Sequence, residues 1–112
     1  MSGEAPFTDV RVILVTCGSE EEAVKVGRAL VERKLAACVN IVPGVRSIYR
    51  WEGKVHDDRE HLLIVKTSLA RWKEIAEAVR ELHSYACPET IALPVSEGAG
   101  RYLAWVEEET SR

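Results

Sequence analysis

The hydrophobic positions of this chain fall into seven segments, four typical of strands and three of amphipathic helices. Nearly continuous or alternating apolar runs predict strands at 10–16, at 36–42 with a continuation over 45–51, at 54–58 joined to 60–67, and at 89–95. Pro43-Gly44 breaks or bulges the second strand, and Glu52-Gly53 predicts the tight turn of a hairpin.

Apolar residues recur every three or four positions in the remaining segments, which predicts helices. The first helix follows Ser19, which has capping-box spacing with Glu22. The second helix begins near Ser68, a residue type suited to the N-cap. A short third helix holds Tyr102, Leu103, Trp105 and Val106.

The resulting order, β-α-β-β-α-β with a terminal helix, is that of an α+β, ferredoxin-like split βαβ fold. Right-handed crossovers predict the spatial strand order 4-1-3-2, with the first and third strands parallel in the centre. We expect a flexible N-terminal tail over residues 1–8 and a single domain over residues 9–112.

The second strand with its continuation is too long for so small a domain. Residues 36–51 would extend up to roughly 50 Å if straight, whereas a compact domain of this length has a radius of gyration of about 13 Å. The hairpin must project or fold back over its own sheet at Pro43-Gly44. A projecting hairpin is marginal in water, so we expect another copy of the chain to pair with it. Tyr49 and Trp51, on one face of the tip, are the predicted interface residues.

Composition narrows the classes of function. The chain has 112 residues, of which 46% are hydrophobic, and a net charge of −3. This weak acidity argues against a nucleic-acid partner. No apolar run approaches the roughly 20 residues of a membrane span, and residues 1–9 lack the pattern of a signal peptide. Three cysteines, none close to another in sequence, favour a reducing compartment. We therefore expect a cytoplasmic protein without membrane or nucleic-acid partners.

Three metal-binding side chains converge at one end of the predicted sheet. Cys17 ends the first strand, and His83 and Cys87 immediately precede the fourth strand, which runs antiparallel beside the first. Thiolates and imidazoles select copper and zinc. The helix that follows Cys17 is expected to lower the pKa of its thiol, against the effect of acidic residues 20–22. Alternatively, Cys87 is loop packing and His83 caps the second helix.

The remaining candidates predict no further site. Cys38 lies among small apolar residues and is expected in the core. His56 and His61 are five residues apart, so a strand sends them to opposite faces. Lys66, at the end of the third strand, is expected near the metal candidates, where it binds an anion or, as we favour, pairs with Glu89. No catalytic triad, acid–base pair or phosphate loop stands out, so we expect no enzyme.

Six segments resemble, in order, those of the CutA divalent-cation tolerance family. They are ERKLAACVNI (32–41), SIYRWEG (47–53), KT (66–67), PE (88–89), LP (93–94) and YLAW (102–105). The resemblance spans about residues 10–106. It implies a ferredoxin-like homotrimer, cytoplasmic in bacteria, that binds copper and confers tolerance to copper and other divalent ions without an established enzymatic reaction.

This chain departs from the family pattern around the metal candidates. Ser84 replaces a proline and Ala86 an acidic residue of the segment that the family writes HPYExPE. Val15 stands where some relatives carry a copper-linked cysteine, and Leu82 where some carry a second histidine.

Two hypotheses of function follow. The first is a trimeric metal-binding protein that uses Cys17, His83 and Cys87, with copper or another divalent ion as the ligand. The alternative is a PII-like trimeric regulatory module that binds a small anionic ligand at the subunit cleft, an analogy that rests on fold alone. An acylphosphatase is disfavoured because the segment 17–22 is acidic, whereas that chemistry needs a basic phosphate site.

Overall fold

The computed structural model describes residues 7–111 of the chain. The strands are β1 (Val10–Cys17), β2 (Cys38–Trp51), β3 (Lys54–Ser68) and β4 (Ile91–Pro94); the helices are α1 (Glu20–Glu32), α2 (Trp72–Leu82) and α3 (Gly100–Glu109), with a 3₁₀ turn at Leu69–Arg71 before α2. Residues 1–6 of the predicted N-terminal tail lie outside the described part. Thr8, also assigned to that tail, donates its backbone N–H to the Val95 carbonyl oxygen at 2.9 Å.

The strands form one sheet in the order β2-β3-β1-β4, which is the predicted order read from its other edge. The ferredoxin-like α+β fold is therefore confirmed. The expectation that β1 and β3 are parallel is wrong: they pair antiparallel, with Ile13 opposite Val65. The crossover through α1 makes β2 parallel to β1, and the tight hairpin then reverses β3, which lies between them.

The core lies between one face of the sheet and helices α1 and α2. Ile13 and Val15 of β1 alternate inward with Leu63 and Val65 of β3, and all four side chains are fully buried. The helices contribute Ala23, Val26 and Leu30 from α1, and Ile75, Ala78 and Val79 from α2. These residues recur at the helical spacing seen in the sequence, so burial of apolar surface fixes both helices on the sheet.

Helix α2 begins later than expected. The 3₁₀ turn precedes it, and the side chain of Ser68 makes no capping hydrogen bond. Its hydroxyl instead hydrogen-bonds the Thr110 hydroxyl at 3.0 Å. Ser68 thus ties the end of β3 to the end of α3.

The β2–β3 hairpin remains paired to its tip, where Trp51 lies opposite Lys54. Glu52 and Gly53 in the turn both have positive φ, as the predicted tight turn requires. The ladder shifts register between Val42 and Val45, so Pro43-Gly44 is a bulge. The molecule measures 51 × 31 × 22 Å with a radius of gyration of 15.1 Å, above the roughly 13 Å of a compact chain of this length. The elongated shape favours a hairpin that projects.

The second face of the sheet is apolar and incompletely covered. Cross-strand partners share a face, so Leu14 lies there with its partners Ile64 and Ile91. Ile91 and Leu93 of β4 are 50% and 47% exposed. A face of this kind needs a further layer to bury it.

Two expectations about this face are wrong. Cys38 is half-buried beside Lys66 of β3 rather than in the core, because β2 begins with Cys38 on the face of the sheet opposite helices α1 and α2. Lys66 lies opposite Val12, near the start of β1, because β3 is antiparallel to β1. It is therefore far from the end of the sheet where Cys17 lies, and its Nζ donates to Asn40 Oδ1 rather than to Glu89.

Candidate metal centre

Three potential metal ligands meet where β1 ends, α1 begins and α2 ends. Cys17 is the last residue of β1, Glu22 lies in the first turn of α1, and His83 directly follows α2. The Cys17 thiol sulfur, one Glu22 carboxylate oxygen and one His83 ring nitrogen all lie within 4.8 Å of one another. A thiol, a carboxylate and an imidazole at this separation can converge on a single divalent ion.

The first turn of α1 positions the Glu22 side chain. The Ser19 hydroxyl accepts the Glu22 backbone N–H at 3.1 Å, which is one half of the predicted capping box. In the other half, the glutamate side chain would reach back to the Ser19 backbone. Here the Glu22 carboxylate instead lies 3.1 Å from His83 Nδ1 and accepts the Ser84 N–H at 3.4 Å. Glu22 thereby becomes part of the candidate metal centre rather than of the cap.

His83 is held in one orientation by its two ring nitrogens. Nε2 lies 2.6 Å from the Thr16 carbonyl oxygen, and because a carbonyl can only accept, Nε2 carries the proton. Nδ1 accepts the Tyr85 backbone N–H at 3.1 Å and faces Glu22. A backbone carbonyl on the far nitrogen is the usual way to orient a metal-binding histidine.

The Cys17 thiol is fully buried. Burial, then the negative charges of Glu22 and Glu60, raise its pKa to about 11. The expectation that the helix lowers this pKa is wrong, because burial and the nearby carboxylates outweigh the positive end of α1. At neutral pH the thiol is protonated, and a metal ion must displace that proton.

Cys87 lies outside this group of ligands. It is exposed and lines a cleft of about 570 Å³ between the β2–β3 hairpin and the segment that precedes β4. Tyr49 and Trp51, the predicted interface residues, line the same cleft. Sequence reasoning missed Glu22, although its capping position places it at the same sheet end as Cys17.

Tyr85 connects the metal centre to the cleft. Its ring packs against His83 with centroids 4.6 Å apart, and its hydroxyl donates to Glu60 Oε2 at 2.9 Å. Burial and the Glu60 carboxylate raise the pKa of the phenol. A Cβ on Gly18 would lie 2.8 Å from the Tyr85 hydroxyl oxygen, so only glycine leaves room for this ring.

The other two histidines lie apart from each other along β3, although His61 is the cross-strand neighbour of Cys17. The His56 ring stacks on Tyr49 with centroids 5.1 Å apart. His61 pairs with Cys17 across β1 and β3, and its buried Nδ1 has no hydrogen-bond partner among residues 7–111. This geometry supports no shared site for the two rings.

A comparison with protein families matches residues 11–109 to the CutA1 divalent ion tolerance protein. The chain belongs to the CutA family. A divalent-cation tolerance protein CutA from Thermus thermophilus is 52% identical over 99 residues, which cover 88% of this chain and 96% of the relative. Human protein CutA is 43% identical over 109 residues, covering 97% of this chain and 60% of the human protein. The match gives no support to the PII-like alternative.

Solved CutA structures share the fold over nearly the whole chain. The Thermus thermophilus structure has a TM-score of 0.89 at 51% identity and covers 91% of this chain and 99% of its own. Relatives are named for different compartments: one from Arabidopsis thaliana is called chloroplastic and one from Archaeoglobus fulgidus periplasmic. Within the described residues of this chain, no helix combines the length and apolarity needed to span a membrane.

The close approach of Tyr85 to Gly18 predicts the effect of a single methyl group. In Gly18→Ala the ring must shift and its hydrogen bond to Glu60 is strained or lost, so we expect the free energy of unfolding to fall by about 1–3 kcal/mol. Urea denaturation at a fixed protein concentration measures this. Gly100→Ala is the control, since a Cβ there meets nothing within 4 Å. Equal stabilities of the two variants would show that Tyr85 is not held against Gly18.

The raised pKa of Cys17 predicts a loss of stability at alkaline pH. The thiol ionises near its ordinary pKa of 9.0 in the unfolded chain and near 11 in the folded one. The protonated thiol therefore contributes fully to the free energy of unfolding below pH 9, and this contribution is lost as the pH rises toward 11. We expect the free energy of unfolding to decline less over this range in Cys17→Ala than in the native protein. Cys87→Ser, which changes an exposed thiol, should keep the native slope; identical slopes in all three proteins would contradict the assignment.

Proposed function

We propose that this chain is a trimeric cytoplasmic protein of divalent-cation tolerance that binds its metal ion directly, through Cys17, Glu22 and His83. The observation that carries the proposal is the convergence of the three ligand atoms within 4.8 Å. The proposal keeps Cys17 and His83 of the predicted set, adds Glu22 and leaves Cys87 in the neighbouring cleft. It assigns no enzymatic reaction.

The donor set fits a borderline divalent ion. A thiolate and an imidazole favour copper or zinc over magnesium or calcium, and the carboxylate adds a negative charge. His83 Nδ1 and Glu22 Oε1 lie 3.1 Å apart. With Nε2 protonated, Nδ1 has a single lone pair, which accepts the Tyr85 backbone N–H. A metal ion at Nδ1 must displace that hydrogen bond, and it would offset the repulsion between Nδ1 and the Glu22 carboxylate. A metal ion there would also favour the Cys17 thiolate.

The proposed trimer is supported by two surfaces that residues 7–111 leave partly exposed. Leu14, Ile64 and Ile91 form part of an apolar sheet face opposite the core, and β2 is an edge strand along its whole length. Exposed edges and apolar faces promote association. A closed ring of identical subunits covers both surfaces in every copy.

The hairpin offers the proposed anchors of this assembly. Trp51 is 48% exposed and Tyr49 39% exposed near the hairpin tip. Aromatic side chains of this kind commonly dominate the energetics of interfaces. The cytoplasmic location is supported by three free cysteines, a state typical of reducing compartments.

Metal titration tests the proposed ligands. We expect Co²⁺ to bind the assembled native protein with thiolate-to-cobalt charge-transfer absorption, because the ion displaces the thiol proton of Cys17. Cys17→Ser should abolish this absorption, and Glu22→Gln should weaken binding about tenfold or more. Since one thiol proton is released, affinity should rise about tenfold per pH unit between pH 7.5 and 9.

Cys87→Ser is the matched control for the thiol, and Glu97→Gln for the carboxylate; both should bind Co²⁺ as the native protein does. Charge-transfer absorption that survives in Cys17→Ser but disappears in Cys87→Ser would move the site to the cleft. Unchanged affinity in Cys17→Ser and Glu22→Gln would refute direct binding at this centre.

Truncation of Trp51 tests the assembly. Loss of a buried aromatic side chain typically costs about 3–5 kcal/mol, so Trp51→Ala should weaken the trimer and lower the melting temperature together. Native mass spectrometry gives the number of subunits, and analytical ultracentrifugation gives their affinity. Leu69→Ala, an equally exposed apolar residue on the 3₁₀ turn, is the control. A Trp51→Ala protein with native assembly and melting point would exclude Trp51 as an anchor.

A further inference from the structure

The cleft between the hairpin and the segment that precedes β4 has the dimensions of a small-molecule site. Its volume is about 570 Å³, within the usual range of roughly 300–1,000 Å³. Three aromatic side chains line it, those of Tyr49, Trp51 and Tyr85, together with the carboxylates of Glu60 and Glu89. No lysine, arginine or histidine lies among its lining residues in the described part of the chain.

Glu60 is a buried carboxylate that forms no ion pair with the described residues. The residue is 6% exposed, and within residues 7–111 its one hydrogen-bond donor is the Tyr85 hydroxyl, which binds Oε2. Oε1 receives no hydrogen bond from a described residue. Oε1 is not among the fully enclosed polar atoms, so it faces accessible space and can accept a hydrogen bond from a ligand.

Glu89 adds to the negative potential of the cleft. Burial and the neighbouring charge of Glu60 both raise the pKa of Glu89. A positively charged ligand would offset the repulsion between the two carboxylates.

The aromatic walls of the cleft also favour a positively charged ligand. The Tyr49 hydroxyl donates to Asp58 at 2.6 Å and the Tyr85 hydroxyl to Glu60 at 2.9 Å. Both phenolic hydrogens are therefore used, so the two phenol oxygens can only accept hydrogen bonds from a ligand. One face of the Tyr49 ring is covered by His56. The face of an aromatic ring attracts cations, most strongly in tryptophan.

We propose that this cleft binds an organic cation with a primary ammonium group, which donates an N–H to Glu60 Oε1 while its carbon chain packs on Trp51 and Tyr49. The large apolar part of the walls favours an organic ion over a bare metal ion. The site shares no side chain with the Cys17, Glu22 and His83 centre, so it does not depend on the metal proposal. Tyr49 and Trp51 also carry the proposed subunit contact, so the assembled protein is the form to test.

The probes are n-butylammonium, tetramethylammonium and n-butanol, titrated into ¹⁵N-labelled assembled protein and followed by NMR. We expect saturable shifts for n-butylammonium at the Trp51 indole N–H and in the backbone of residues 85–89. Tetramethylammonium has the charge but no N–H donor and should bind more weakly. n-Butanol has the chain without the charge and should bind at least tenfold more weakly.

Two variants test the carboxylates. Glu60→Gln keeps an acceptor for Tyr85 but removes the charge, and it should weaken n-butylammonium binding at least tenfold, as should Glu89→Gln. Glu97→Gln, outside the cleft, should bind as the native protein does. Cys17→Ser should lose metal and keep n-butylammonium binding, which separates failure of this proposal from failure of the metal centre.

Any of four results would overturn the proposal. One is the absence of saturable shifts, as expected if a neighbouring copy fills the cleft. Two others are equal binding of n-butanol and unchanged n-butylammonium binding in Glu60→Gln. The fourth is a Cys17→Ser protein in which Zn²⁺ shifts the cleft resonances and n-butylammonium does not, which would make the cleft an inorganic cation site.

Discussion

The hydrogen bond from His83 Nε2 to the Thr16 carbonyl oxygen organises this end of the molecule. It joins the residue after α2 to the end of β1, and it fixes the tautomer that turns Nδ1 toward Glu22. The chain then continues into Tyr85, whose ring reaches over Gly18 to Glu60. One contact thus sets both the geometry of the metal centre and one wall of the adjacent cleft, because a rigid second layer holds the functional groups in place.

Negative charge is the property common to the metal centre and the cleft. Glu22 and Glu60 both raise the pKa of the Cys17 thiol, and Glu60 also raises that of Glu89. In a partly buried region such charges are weakly screened, so each group is destabilised in its anionic form. A bound cation offsets the free-energy cost of these negative charges. Both proposed sites therefore favour cations, although they bind different ones. Cys17 supplies the metal preference, whereas Trp51 and Tyr49 supply apolar walls.

The strand order and the convergence of Cys17 with His83 could be predicted from the sequence, because the hydrophobic pattern and the strand order fix where whole segments lie. Features that depend on the orientation of individual side chains could not be predicted. The predicted position of Lys66 is wrong because it rests on a β3 parallel to β1. The sequence predicts Glu22 as part of the helix cap, since the spacing of a capping box does not reveal that the carboxylate turns toward His83. The high pKa of Cys17 depends on burial and on Glu60, which is distant in sequence.

Assembly and ligand binding share the same residues in these proposals. Tyr49 and Trp51 form a wall of the cleft and also project as the anchors of the hairpin. If one conformation of the hairpin serves both contacts, then any ligand that stabilises it must also strengthen association, and association must strengthen ligand binding by the same factor. The candidate metal centre joins this linkage through Tyr85, which contacts His83 on one side and Glu60 on the other. Thr16 gives a second connection, since its carbonyl oxygen binds His83 and the residue lines the cleft. The charge of Glu60, which acts on the Cys17 thiol, gives a third, so a bound metal ion and the cleft are coupled by contact and by electrostatics.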